Sequence, residues 1–139
     1  MKRRTWFALP FAALPLASCK DMTRGIRLAD TAADEFHQRF NEQKFKELYA
    51  AGHADLKAST TEADFVKLLE AVHRKLGKHT GNSSSGWRIN SHNLKTTVAL
   101  TQDAVFEQGK GIEVFTFVIS GESCLLQGYD IESKDMMLK

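Results

Sequence analysis

Chemistry in this 139-residue chain would have to come from five histidines, a few acids on strand-like stretches and two tyrosines. The histidines are His37, His53, His73, His79 and His92. No two of them stand at i, i+4, the helical spacing that aims two imidazoles at one metal ion. His73 and His79 flank the end of a helical pattern, so the turn between them can bring the two rings together. Asp103, Glu107, Glu113 and Asp130 lie on strand-like stretches, and Tyr49 and Tyr129 are the phenol donors. A carboxylate enclosed in an apolar interior has its proton held more tightly, as proton abstraction beside a carbonyl requires. Glu113 starts a strand next to a hairpin and Asp130 lies near the chain end, positions that predict solvated edge charges. Tyr129 reads as a core or rim aromatic. The sequence has no HExxH, CxxC, GxSxG or GxGxxG motif and no phosphate-binding loop. The expectation is therefore no catalytic residue, no metal and no cofactor beyond any covalent lipid.

The elements that would position these residues fall into two groups. Ala29, Ala32, Ala33, Phe36 and Phe40 stand at i, i+3, i+4, i+7 and i+11, and Phe65, Leu68, Leu69, Val72 and Leu76 repeat those offsets. Both are single-face helical stripes. Asp30 is the start signal for the first; Thr60 or Thr61 caps the second, and Gly77 stops it. Between them "KFKELYAAG" gives Phe45, Leu48 and Tyr49 one face, a shorter helix ending at Gly52. "KHTGNSSSG" is a loop by composition. From Trp87 the chain becomes β-branched and alternating: "WRIN" as a short first strand, then "TTVALTQDAVFE", "IEVFTFVIS" and "CLLQGYDIE" joined by Gly-containing turns. Helices followed by strands predict an α+β fold, with the N-terminal helices packed on one face of a roughly four-stranded antiparallel sheet.

The N-terminus has a different grammar. Lys2, Arg3 and Arg4 precede an apolar run over residues 6–17, too short for a membrane span of roughly 20 residues. "LASC" then places Leu16, two small residues and Cys19 in order. This pattern resembles the lipobox of bacterial lipoproteins. The resemblance implies a signal peptide over 1–18 and a mature chain that begins at Cys19 carrying diacylglycerol and an N-acyl chain such as palmitate. A multiply acylated cysteine anchors firmly, because each buried methylene contributes about 0.8 kcal/mol. Cleavage removes the three basic residues, so 19 Lys and Arg fall to 16 against 17 acids, and the formal charge moves from +2 to −1. The mature chain of 121 residues has no positive field for nucleic acid. Residues 19–27 form the lipidated tether, spanning about 15 Å if flexible, and 28–139 form a single domain. Cys124 becomes the sole remaining thiol and is expected to be buried.

The domain in turn resembles the nuclear-transport-factor-two-like, or cystatin-like, α+β group of small envelope families of unknown function. "FKELYA", "TTEADFVKLLEAVHRKLG" and "LLQGYDI" carry the likeness, with Gly128, Tyr129 and Ile131 as the closing signature. Where that group often has tryptophan four residues before the closing glycine, this chain has Cys124, leaving room inside or requiring compensation from Phe115, Phe117 or Trp87. The resemblance implies a cone between helices and sheet, with Tyr49, Trp87, Phe115, Phe117, Cys124 and Tyr129 as pocket or interface residues. The function expected is that of a lipid-anchored cell-envelope protein, in the outer membrane facing the periplasm. Its domain would bind an envelope protein partner in an inhibitor, immunity or assembly role. The competing expectation is a small-ligand carrier or an isomerase- or cyclase-like enzyme using the cone. A cone filled by Phe115, Phe117, Leu125 and Trp87 would rule against that alternative.

Overall fold

In the computed structural model the described residues are 17–139, with side chains described from residue 22 onward. The stretch read as a signal peptide, apart from its last two residues, and the Cys19 side chain lie outside the described residues. The order is α1 (Ala17–Asn41), α2 (Phe45–Ala50), α3 (Ala54–Ser59), α4 (Glu62–Leu76), β1 (His79–His92), β2 (Lys95–Phe106), β3 (Gly109–Ser120), β4 (Ser123–Glu132) and α5 (Lys134–Met137). The strands form one antiparallel meander in the order β1-β2-β3-β4. This is the α+β architecture expected, with helices segregated from strands along the chain. None of the described helices is long and apolar enough to cross a membrane.

Helix α4 follows from its own sequence. The Thr61 side chain accepts a hydrogen bond from the Asp64 N–H at 3.2 Å, satisfying a free donor of the first turn. Gly77, at φ +77°, ends the helix, and its N–H donates to the His73 carbonyl at 2.8 Å. Phe65, Leu69, Val72 and Leu76 are buried, while Leu68 of the same stripe stays exposed. Ala29, Ala33, Phe36 and Phe40 bury the expected face of α1. That helix, however, begins at Ala17, so residues 20–27, read as a tether, are helical. Gly25 sits so close to the sheet that an added Cβ would meet Val98 at 3.7 Å. The short helices α3 and α5 carry no periodic signal; α3 is started by His53, whose Nδ1 accepts from the Asp55 N–H at 3.0 Å.

The segment "KHTGNSSSG", expected as a loop, is mostly strand. β1 pairs with β2 from His79↔Phe106 to His92↔Lys95, with irregularities at His79/Gly81 and Ser84/Gly86. An edge strand needs only backbone pairing on one side, and most of its side chains face water, so Ser, Asn and Gly are tolerated there. Along β2 and β3 the alternation is clean. Val98, Leu100, Gln102, Ala104 and Phe106 face inward opposite Phe117, Phe115, Glu113, Gly111 and Gly109.

The interior is filled with rings. Phe36 lies 4.8 Å from Tyr129 and 5.0 Å from Phe115, and Phe115 stacks on Phe117 at 5.9 Å. Each fully buried Phe or Leu contributes about 1.5–3 kcal/mol. Two expected members of this filling stand elsewhere: Trp87 is 49% exposed on edge strand β1, and Leu125 is 37% exposed on the outer side of β4. The cone is closed instead by Phe36, Phe40 and Tyr129 from the helix and sheet sides.

Candidate functional site

Glu113 is the unexpected residue. It is 1% exposed, on the inward row of β3 two residues before Phe115, and not the solvated edge charge its place beside a hairpin predicted. The physical reason is parity: in "EVFTF" the first, third and fifth side chains share a face. Both carboxylate oxygens are engaged. The Tyr129 hydroxyl donates to Oε2 at 2.6 Å, and His37 Nε2 lies 2.7 Å from Oε1. Burial first, then the Glu113 charge, pushes the Tyr129 phenol well above its ordinary value, so it remains a donor.

His37 reaches this carboxylate from α1, next to core residue Phe36 and one turn before Phe40. The His79 ring lies parallel to it at 3.5 Å, with 2° between planes. Burial, and secondarily His37, lowers His79 to about 4, which keeps its ring neutral at ordinary pH. Asn41 holds this junction together: its side-chain amide donates to the His79 carbonyl at 2.9 Å, and its oxygen accepts the His79 N–H at 2.8 Å. The end of α1 is thus clamped to the start of β1. His79 therefore approaches His37 rather than His73, which packs against Phe40 and Phe45.

His37, His79 and Glu113 offer ligand atoms within 4.8 Å of one another. The His37 and His79 rings are stacked on each other, and His37 Nδ1 and His79 Nε2 are buried with no hydrogen-bond partner among the described residues. The arrangement fits a stacked, hydrogen-bonded network that joins α1, β1, β3 and β4.

The structure brings Phe115, Phe117 and Tyr129 together in the core, with Phe115 and Tyr129 5.2 Å apart. The other three candidates stand apart. Tyr49 donates to the Thr60 carbonyl at 2.8 Å and packs on Phe65, tying α2 to the start of α4. Trp87, paired with Leu100, is half exposed at the sheet edge. Cys124 is half-buried opposite Ile119. It lines an open cleft of about 210 Å³ with Phe36, Leu48, Phe117 and Leu126, the space a larger residue would take. Burial, then the Glu35 charge, raises the Cys124 thiol to about 12, which leaves it inert. Asp130 is exposed, as its position predicted.

The outer row of the sheet has a different character. Thr97, Ala99, Thr101, Val114 and Thr116 are half-buried, and Val105 and Ile112 are 41% and 44% exposed. An open groove of about 790 Å³ runs beside Val105 and Ile112, bordered by Ser83, Asp103, Lys110 and Lys134. A β-branched, Thr-rich face with little charge at its centre is suited to covering by another surface. No protein-family model matches the chain, and no curated protein matches it either.

Proposed function

We propose that this chain is a lipid-anchored protein of the bacterial cell envelope whose α+β domain binds a protein partner through the outer face of its sheet. The single observation that carries the domain's role is the filled interior. Phe36, Phe40, Phe115, Phe117 and Tyr129 occupy the space a carrier or an isomerase would need for its ligand, and Glu113 is committed to two protein groups. What the domain has left to offer is surface, and an apolar open groove runs beside Val105 and Ile112. The "LASC" stretch ending at Cys19 supports the anchor, and the resulting location is the periplasmic side of the outer membrane. An inhibitor, immunity or assembly role toward another envelope protein fits such a module.

The test places a photo-crosslinking residue at Ile112 in intact cells, with Lys67 on the exposed face of α4 as comparison. One discrete protein adduct at 112, absent at 67 and lost when Val105→Lys is added, is the expected result. Equal labelling at both positions, or none at either, rejects the outer face as the interface.

A further inference from the structure

Asn93 and Leu94 make the two-residue turn between β1 and β2, with φ of 49° and 64°. A turn with two positive φ angles favours Asn followed by Gly, because a side chain at the second position is strained. This chain puts leucine there, and it is fully exposed, at 108%. Neither packing nor backbone preference accounts for a leucine in that place.

The start of α1 lies at the same end of the molecule. Met22, 44% exposed, lines one open cleft of about 700 Å³ together with Gly25, Ile89 and Leu94. Because α1 is continuous from Ala17, position 19 precedes Met22 by three helical residues, about 4.5 Å along the axis. The cationic groups of this cleft already have partners: Lys95 pairs with Asp55, and Arg24 with Glu122 and the Gly121 carbonyl. Among the described residues of this cleft, Met22, Ile89 and Leu94 supply apolar side chain, while Arg24 and Lys95 are paired.

We propose that the β1–β2 turn is a second membrane contact, in which Leu94, with Met22 beside it, enters the interfacial layer of the leaflet that holds the acyl chains of Cys19. This rests on the reading of Cys19 as the lipidated residue. A lipid on a helix gives attachment and an axis; a second apolar point fixes how the domain is turned about that axis. The sheet's long direction then stands away from the bilayer, with the groove beside Val105 and Ile112 at the far end of β2 and β3.

The test uses the processed full-length protein in vesicles of phosphatidylethanolamine and phosphatidylglycerol. An environment-sensitive fluorophore is attached at Leu94→Cys or, for comparison, at Arg74→Cys in the last turn of α4, both in a Cys124→Ala background. Nitroxide lipids labelled near the headgroup should quench position 94 about threefold more than position 74. Equal quenching in protein that floats with the vesicles overturns the turn contact and leaves the anchor standing. Protein that does not float at all, or floats equally well as Cys19→Ala, overturns the anchor and this proposal with it.

Discussion

At the scale of single residues, Glu113 has the most at stake. Buried donors that lose their acceptor retain the full cost of desolvation, whereas a satisfied network costs little. Glu113→Leu strands the Tyr129 hydroxyl and His37 Nε2 together in the core. Urea unfolding should show a loss of about 2–4 kcal/mol. Glu113→Gln keeps an acceptor for the Tyr129 hydroxyl and should lose clearly less. The order of the two variants is the informative part: if Leu proves as stable as the native acid, the network contributes nothing to folding. Cys124, by contrast, is a bystander, half-buried with a thiol raised to about 12.

At the scale of elements, the boundary between α4 and β1 depends on Gly77. Its φ of +77° with ψ of −157° belongs to a region that side chains rarely enter, and an added Cβ would lie 3.1 Å from the Glu107 Cβ. Gly77→Ala should cost about 1–3 kcal/mol in thermal or urea unfolding. Gly86→Ala in β1, where a Cβ meets nothing within 4 Å, should change stability by no more than about 0.5 kcal/mol. If the two alanines behave alike, the turn is not the constraint. The same two elements show what a sequence can reveal. α4 was legible because a cap, an apolar period and a stop residue agree over fifteen residues. β1 was not, because an edge strand draws its order from the pairing partner rather than from its own side chains. The early part of α1 was hidden for a related reason: Gly25, buried on the helix, has no helical signal of its own. The site was half legible. Phe115, Phe117 and Tyr129 follow from alternation, and Glu113 obeys the same parity; the general rarity of buried acids hid it. His37 and His79 were out of reach, since 42 positions separate them and neither segment signals the Asn41 clamp or the Ser84–Asp30 hydrogen bond that joins α1 to β1.

At the scale of the whole molecule, the decisive property is that the rings of Phe36, Phe40, Phe115, Phe117 and Tyr129 occupy the centre of the space between the described helices and the sheet. A carrier or a cone enzyme keeps an apolar volume that a ligand fills, and filling it raises the melting temperature with ligand concentration. A core of interlocked rings has no such volume, and its α1–β1 clamp and α1–β3–β4 network tie all layers into one cooperative unit. The expected calorimetric behaviour is a single transition with matching calorimetric and van't Hoff enthalpies. For the 121 residues from Cys19 onward its heat-capacity change should be about 1.5–1.8 kcal/mol/K. Hydrophobic dyes and apolar ligands should leave both the fluorescence and the midpoint of the folded domain unchanged. A midpoint that climbs steadily with one apolar ligand would mean that the rings part to admit it, and the domain's function would then lie inside the cone. A midpoint that stays level leaves the proposed partner surface, the open sheet face with its exposed Val105 and Ile112, as the reading to pursue by crosslinking.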